Sequence, residues 1–157
     1  MFYTIKKVTR SQIDAIKRIE IEAGLSRWTE AHYVEEIERF DSLFFVVMTN
    51  NTAIGFILAR LIMTNIGGSL VENEIEIYNI AVKSEFRHKY IGNALLERLL
   101  ESASEKQVQK IFLEVRKSNT RALGFYRKNG FEMIGERRDF YTNPTEDALL
   151  MCRQMSY

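Results

Sequence analysis

The chain has 157 residues, of which 46% are hydrophobic, and this length and composition predict one compact domain spanning residues 1–157. Lys and Arg number 22 against 21 for Asp and Glu, so bulk charge gives no reason to expect a nucleic-acid or membrane-surface protein. A single cysteine, Cys152, excludes an internal disulfide and a multi-thiolate metal site, and it suits a reducing compartment such as the cytoplasm. The sequence has no apolar leader at its start and no run near the roughly 18 apolar residues of a membrane span, so we expect no membrane association.

The first half of the chain predicts a strand, two helices and a hairpin. TIKKVT (4–9) is typical of a strand, and SQIDAIKRIEIEAG (11–24) predicts a helix with Ser11 as N-cap and an apolar stripe of Ile13, Ile16, Ile19 and Ala23. WTEAHYVEEIERF (28–40) predicts a second helix, capped by Thr29, with Tyr33, Ile37 and Phe40 on one face. SLFFVVMT (42–49) and AIGFILARLIMT (53–64) flank the turn residues 50–52 and predict a hairpin.

The second half alternates strands and helices. After the break at Gly67 and Gly68, EIEIYNIAV (74–82) predicts a fourth strand, and the next helix carries Ile91, Ala94, Leu95, Leu99 and Ala103 on its buried stripe. KIFLEVRK (110–117) predicts a strand, SNTRALGFYRKNG (118–130) a short helix capped by Ser118 or Asn119, and the segments 131–142 and 147–155 a closing pair of strands. This order favours an α/β (α+β) fold with helices on both faces of one sheet.

A basic turn, FRHKY (86–90), joins the fourth strand to the next helix. The unpaired N–H groups and the dipole at a helix N-terminus favour an anion, so the turn is a candidate phosphate site. Only one glycine, Gly92, provides backbone freedom there. From these residues alone, a solvated basic turn that caps the helix explains the pattern as well.

Five motifs occur in a recognisable order. They are WTE (28–30), EIEIYNIAV (74–82), LEVRKSN (113–119), FYRKNGF (125–131) and RRDFYTNPTEDALLM (137–151). Together they resemble the GNAT superfamily of acetyl-CoA-dependent N-acetyltransferases, and within it the RimI-type ribosomal-protein alanine N-acetyltransferases. The resemblance implies a single acetyltransferase domain with a mixed, mostly antiparallel sheet of six to seven strands, in which strands four and five splay apart to admit acetyl-CoA.

The resemblance also implies the residues that hold acetyl-CoA. The family's pyrophosphate-binding pattern maps onto Arg87, Tyr90 and Gly92, although Tyr90 and His88 stand where glycine is common. A tyrosine at positive φ would be strained, and its ring must point to solvent or lie against the adenine. The implied cofactor-binding residues are Ile80, Ala81, Val82, Arg87, His88, Lys89, Tyr90, Ile91, Gly92, Asn93 and Asn119.

Acetyl transfer to an amine needs a base, an oxyanion donor and a proton for the thiolate. Glu114 alternates with the apolar residues of its strand, and partial burial there would raise its pKa; the alternative is a surface glutamate paired with Arg116 or another cation. The family places the general base at Glu114 and the general acid at Tyr126, whose phenol could otherwise be a core group. Glu76 is the rival base, acting through a water.

The acceptor is less determined by the sequence. By resemblance, Trp28, Glu30, the 65–73 loop and Tyr141 border the acceptor groove, and the glutamates at 30, 72, 74 and 76 would favour an N-terminus followed by basic residues. A carboxylate base deprotonates an α-amine, with its pKa of about 7.7–8.0, more easily than a lysine near 10.4.

Three hypotheses therefore stand: a protein N-terminal acetyltransferase acting on a substrate such as a ribosomal protein, an acetyltransferase of a small amine (a polyamine, an amino acid or a drug), and a CoA-binding module with impaired turnover. Cys152 has no histidine near it in sequence, so direct transfer in a ternary complex is expected. His32 and His88 form no ligand spacing, so no metal is expected. The expected assembly is a monomer or a homodimer.

Overall fold

A computed structural model describes residues 1–25 and 27–157, with residue 72 described by its backbone alone. Within these ranges the strands are β1 (Thr4–Lys7), β2 (Ser42–Thr49), β3 (Thr52–Ile66), β4 (Ser69–Val82), β5 (Lys110–Arg116), β6 (Glu132–Tyr141) and β7 (Glu146–Gln154). The helices are α1 (Ile13–Glu22), α2 (Glu30–Glu38), α3 (Ile91–Glu105) and α4 (Thr120–Lys128). None of these helices is long and apolar enough to span a bilayer.

The strands form one seven-stranded sheet in the order β1-β2-β3-β4-β5-β7-β6. Every neighbouring pair is antiparallel except β4 and β5, which are parallel and are joined through α3. A parallel pair needs such a crossover, because a short turn cannot return the chain to the same end of the sheet. The mixed, mostly antiparallel sheet expected from the sequence is confirmed.

Helices cover both faces of the sheet, as predicted, and strand β2 shows why. Phe45 and Val47 belong to the core cluster that contains the buried stripe of α3, whereas Phe44 and Val46 belong to the cluster that contains the apolar residues of α1. Since successive side chains of a strand point to opposite faces, an apolar run without alternation needs cover on both sides. The core therefore has two layers, with α1 and α2 on one face and α3 and α4 on the other.

Two expectations for the N-terminal helices are wrong in detail. Ser11 lies inside a short 3-10 turn, Arg10–Gln12, that precedes α1, and Thr9 forms the capping box with Gln12. Phe40 follows the end of α2 and is 80% exposed. The cap at Thr29 is confirmed, because its Oγ1 accepts the His32 N–H at 3.2 Å.

The connection before β4 is a hairpin rather than the predicted 65–73 loop. Strands β3 and β4 pair from Ile66 opposite Ser69 to Gly55 opposite Val82, so the turn consists of Gly67 and Gly68. Both glycines have positive φ, which a tight two-residue turn requires. The place of this segment beside the acceptor groove stays a prediction, for a hairpin rather than a loop.

The second half follows the sequence closely. In α3, the predicted residues Ile91, Leu95, Leu99 and Ala103 are buried. Asn119 caps α4, since its Oδ1 accepts the Ala122 N–H at 3.1 Å. Both helices begin beside the region where β4 and β5 separate.

Candidate functional site

Strands β4 and β5 part in the middle of the sheet. Their parallel pairing runs only from Glu74 with Lys110 to Ile77 with Leu113, although both strands continue further. Tyr78 is an extra residue in β4, because Leu58 pairs with Asn79 and the next residue of β3 pairs with Ile77. Such a bulge bends and twists the strand that carries it, which turns the end of β4 away from β5. The predicted splay is confirmed, and it opens a cleft of about 1010 Å³.

The bulge also exchanges the faces of β4. Before it, Ile75 and Ile77 belong to the core layer of α3 and α4, and after it Ile80 and Val82 pack against that same layer. The backbone from Tyr78 to Val82 lines the cleft beyond the end of its pairing with β5. This edge is where the sequence places the pantetheine arm, through residues 80–82.

The turn before α3 has the strained backbone that the sequence indicates. His88 and Tyr90 have φ values of 58° and 60°, and Tyr90 is the N-cap residue of α3. Tyr90 is 81% exposed and also lines the cleft, so both expected placements of its ring, in solvent or against the adenine, stay predictions. Left-handed backbone is uncommon for residues other than glycine and costs of order 1–2 kcal/mol per residue.

Gly92 contributes space rather than backbone freedom. It lies within α3, and a Cβ built there would be 3.4 Å from the Phe125 ring of α4. The first helical hydrogen bond shown at this end runs from the Ala94 N–H to the Tyr90 carbonyl, so the N–H groups of residues 91–93 precede it. They are the donors that a helix N-terminus offers to an anion.

Most of the proposed cofactor residues meet in the cleft. Among those described as lining it are Ile80, Ala81, Val82, Arg87, His88, Tyr90, Ile91, Gly92, Asn93 and Asn119. Lys89 is not among them, and its Nζ lies 5.3 Å from the centre of the Phe86 ring. The Arg87 Nε donates to the Val82 carbonyl at 3.1 Å, which ties the turn to the end of β4. Phe86 also lines the cleft and was missed, because a single aromatic residue in a basic turn carries no pattern.

Glu114 faces the cleft from β5, and its side chain is 14% exposed. Its Oε1 lies 3.3 Å from Arg137 Nη1, and its Oε2 is buried without a hydrogen-bond partner among the described residues. Burial raises the pKa of Glu114, Arg137 opposes that change and Glu76 adds to it. The predicted direction of the pKa change is confirmed. The alternative, a surface glutamate paired with Arg116 or another cation, holds in part: the cation is Arg137, whereas Arg116 pairs with Glu146 and the Glu114 side chain is largely buried.

Glu76 and Glu114 face the same side of the sheet. Glu114 alternates with Leu113 and Val115, which pack in the layer of α3 and α4, so its side chain points towards the side of α1 and α2. Glu76 alternates in the same way with Ile75 and Ile77. Both candidate bases line the cleft, and the charge of Glu76 acts on Glu114.

Tyr126 reaches the cleft from the opposite face. It lies on α4, is 6% exposed, and contacts the rings of Phe125 and Phe131, each with centroids 5.4 Å away. Burial raises the pKa of its phenol, and Tyr141 adds to that rise. The gap between β4 and β5 therefore has carboxylates on one side and a protonated phenol on the other.

Aromatic side chains form the walls of the cleft on the acceptor side. The Trp28 ring stacks on Tyr33 at 5.5 Å and meets Tyr78 edge-on at 6.0 Å. Across the cleft, the Arg116 guanidinium lies 4.3 Å from the centre of the Tyr141 ring. Arg116 also donates to the carbonyls of residues 142 and 144, which fixes the turn between β6 and β7.

Two of the glutamates predicted for the acceptor groove are not among the described residues that line the cleft. Glu30 lies in the first turn of α2, is exposed, and is not among the described lining residues of the cleft. The Glu72 side chain lies outside what the structure describes. Tyr78 and Arg137 line the cleft but were missed. Their positions depend on the bulge in β4 and on the pairing of β6 with β7, which strand periodicity does not reveal.

Cys152 is a buried residue of β7, and burial raises the pKa of its thiol. A thiol that keeps its proton is a poor nucleophile, as expected from the sequence. Among the described residues, no three His, Cys, Asp or Glu side chains are grouped so that they could hold a metal ion.

Comparison with known proteins gives the family. Residues 13–131 match the model of the acetyltransferase (GNAT) family. The N-alpha-acetyltransferase of Saccharolobus solfataricus is 30% identical to this chain, and the match covers 98% of this chain and 93% of that protein. The [ribosomal protein bS18]-alanine N-acetyltransferase of Escherichia coli K12 is 29% identical, and the match covers 98% of each chain. The crystal structure of the ribosomal-protein-S18-alanine N-acetyltransferase from Escherichia coli superposes with a TM-score of 0.84 at 28% identity, over 99% of this chain and 96% of that one. The chain therefore belongs to the acetyltransferase (GNAT) family and is an acetyl-CoA-dependent N-acetyltransferase.

Proposed function

We propose that this enzyme transfers the acetyl group of acetyl-CoA to the α-amine of a protein N-terminus, and that its acceptor is the N-terminal alanine of a ribosomal protein. Relatives that match almost the whole chain support the class of acceptor, since one is named for ribosomal protein bS18 alanine and another for N-alpha-acetylation. The amine attacks the thioester directly while both substrates are bound.

The observation that carries the proposal is the buried Oε2 of Glu114 at the edge of the cleft, which has no hydrogen-bond partner among the described residues. A buried carboxylate oxygen without a donor is costly, so it is suited to accept a hydrogen bond that the substrate supplies. We assign Glu114 as the general base that takes a proton from the nitrogen of the neutral amine as it attacks the thioester carbonyl. Its raised pKa brings it nearer to that of an α-amine, which has a lower reference pKa than a lysine side chain.

Glu76 is assigned a supporting role on the acceptor side. It shares a side of the sheet with Glu114, and its negative charge contributes to the raised pKa of Glu114. Two carboxylates at one end of the cleft favour the positive charge that develops on the amine nitrogen as it attacks. If Glu76 is instead the base, acting through water, its replacement by glutamine has the larger effect on the rate.

Tyr126 is assigned as the group that protonates the departing thiolate. Burial raises its pKa, so the phenol keeps its proton at neutral pH. The same apolar surroundings raise the basicity of the thiolate, because both anions lose hydration there. Proton transfer thus stays closer to balance than the reference pKa values of about 10 and 8.5 in water suggest.

The cofactor is held by backbone groups in this proposal. The N–H groups of residues 88–93 bind the pyrophosphate, the edge of β4 at residues 80–82 pairs with the pantetheine arm, and Asn119 contacts the cofactor from the start of α4. An N–H near Val82 stabilises the oxyanion of the tetrahedral intermediate. Acetyl-CoA placed in this way brings its thioester into the gap between Glu114 and Tyr126.

The test uses two peptides and a panel of small amines with acetyl-CoA. One peptide begins with alanine and continues with basic residues, and its control is the same peptide with a blocked α-amine. We expect CoA release only with the free peptide, and mass spectrometry should place the acetyl group on its α-nitrogen. Turnover of small amines without turnover of the peptide would refute the proposed acceptor and favour the small-amine hypothesis.

The assignment of the base is tested by two isosteric variants. Glu114→Gln should lower kcat by about 10²- to 10⁴-fold, the usual contribution of a general base, while the Kd for acetyl-CoA stays unchanged. Glu76→Gln is the matched comparison, because it removes one charge from the same cleft. A larger loss of kcat in Glu76→Gln than in Glu114→Gln would exchange the two roles.

A further inference from the structure

Glu20 is a buried carboxylate that the proposed reaction does not use. It lies in α1, is 1% exposed, and is not among the described residues that line the cleft. A buried ionisable side chain is rare unless its oxygens are satisfied. The hydrogen-bond partners of its carboxylate therefore indicate the role of Glu20.

Glu20 is bonded to the chain on both sides of residue 26. Its side-chain Oε1 and Oε2 share the Trp28 N–H, at 3.1 and 3.2 Å, and its Oε2 also accepts the Tyr33 hydroxyl from α2. Its backbone carbonyl accepts the Leu25 N–H at 3.1 Å. The partners of the carboxylate that the structure describes are thus neutral donors, and one of them is the backbone of the residue that forms a cleft wall.

The Trp28 ring depends on this anchor for its position. It lies between the Tyr33 ring, on which it stacks, and the Tyr78 ring at the bulge of β4. Tyr33 is fully buried, and its hydroxyl is held by the same carboxylate. One carboxylate therefore fixes both the backbone of Trp28 and the ring beneath it.

We infer that Glu20 is a positioning residue that holds Trp28 as a preformed wall of the acceptor site. The inference rests on the proposed function, since Trp28 is assigned there to the acceptor. Glu20 acts through hydrogen bonds and touches neither substrate, so its loss should weaken acceptor binding and leave acetyl-CoA binding intact.

Two near-isosteric substitutions test the inference. Glu20→Gln keeps an acceptor for the Trp28 N–H, whereas Glu20→Met keeps the length and helix propensity but offers no oxygen. The Met side chain has a similar volume, but the Trp28 N–H and the Tyr33 hydroxyl lose a buried acceptor, so the Met variant should fold with a lower free energy of unfolding. Glu38→Gln is the control, because it makes the same chemical change on an exposed side chain of α2.

Trp28 is the only tryptophan of the chain, so intrinsic fluorescence reports its surroundings directly. We expect Glu20→Met to shift the emission to longer wavelength and to increase quenching by acrylamide, because the ring becomes more hydrated. The KM for the alanine peptide should rise about tenfold if about one molecule in ten keeps Trp28 in its binding position, because the apparent affinity falls with that fraction. The KM for acetyl-CoA should not change, Glu20→Gln should lie close to wild type, and Glu38→Gln should match it.

Wild-type emission from a folded Glu20→Met variant would overturn the inference, as would an equal rise in both KM values. If the peptide is not a substrate of the wild-type enzyme, the proposed function fails, and the fluorescence result alone decides the role of Glu20. If Glu20→Met does not fold, hydrogen exchange of the Trp28 amide decides it. Exchange should be faster in Glu20→Gln than in wild type, because a neutral acceptor is weaker than a carboxylate, and equal exchange rates would refute the anchor.

Discussion

Arg137 should tune the base through a single ion pair. Its Nη1 lies 3.3 Å from Glu114 Oε1, and it is the favourable charge that opposes the effect of burial on the pKa of Glu114. Replacing it with glutamine removes a cation that stabilises the carboxylate form. The pKa of Glu114 then rises further above its ordinary value, so more of the base is protonated, and inactive, at low pH.

The size of the effect follows from the exposure of the pair. The Arg137 side chain is 58% exposed, so solvent screens the attraction to the range of about 0.2–1 kcal/mol measured for exposed ion pairs. At pH values below the pKa of Glu114, Arg137→Gln should therefore lower kcat/KM by about 1.4- to 5-fold, since 1.4 kcal/mol corresponds to about tenfold. At pH values above the pKa of the acceptor amine, the base is ionised in both the wild-type enzyme and Arg137→Gln, so this effect on kcat/KM disappears.

The assay is the pH profile of kcat/KM for the alanine peptide at saturating acetyl-CoA. Below about pH 7.7–8.0 the profile falls with a slope of one, because the amine becomes protonated, and it steepens to two where Glu114 is protonated as well. Arg137→Gln should move only the second break, to higher pH, and Arg137→Lys should leave it nearly in place because the charge is kept. A break that moves to lower pH in Arg137→Gln, or that persists in Glu114→Gln, would refute the assignment of Glu114 as the titrating base.

Substitutions at three further positions test the architecture of the cleft. Arg116→Lys removes the planar guanidinium that donates to the β6–β7 turn and stacks on Tyr141. In steady-state kinetics the KM for the acceptor should therefore rise about 3- to 10-fold, while the KM for acetyl-CoA stays constant. Gly55→Ala places a Cβ 2.9 Å from the Ala81 carbonyl oxygen and should lower the free energy of unfolding by about 1–3 kcal/mol in urea titrations; unchanged stability would show that β4 can shift there. Tyr90→Gly relieves the strain at positive φ but increases the conformational entropy of the unfolded chain, so the free energy of unfolding should change by no more than about 1 kcal/mol. Tyr90→Val, by contrast, should lower the free energy of unfolding clearly. Calorimetric titration of Tyr90→Gly with CoA will show whether the tyrosine weakens cofactor binding, which we expect to change little because the residue is 81% exposed.

Local patterns predicted the order of the elements well, because they depend on near neighbours in the chain. The caps at Thr29 and Asn119 and the buried stripe of α3 follow from side chains within one or two turns. Local patterns do not show a side chain whose burial depends on a distant partner. Glu36 is fully buried on α2 because Arg60 of β3 pairs with it, and no helical periodicity of apolar residues predicts a buried glutamate.

The candidate site was predictable as a set of residue types but not as a geometry. The sequence indicated a half-buried Glu114, and the pKa direction followed from that burial. It did not show which cation would lie beside the carboxylate, since Arg137 is 23 positions away on a strand that pairs with β7 and not with β5. It also placed Glu30 and a 65–73 loop at the acceptor groove, where the structure has an exposed helix residue and a hairpin.

The sequence by itself determined the motifs that resemble the family, the alternation of Glu76 and Glu114 with the apolar residues of their strands, and the start of α3 after a basic turn, because each depends on residues that are close together in the chain. Only the tertiary structure decided where strands β4 and β5 separate to form the cleft. The extra residue at Tyr78 becomes a bulge only through the register between β3 and β4, and the Trp28 wall is in place only because Glu20 reaches it from another element. Register and buried hydrogen bonds depend on residues that are distant in the chain, and their free energy exists only once those residues are brought together.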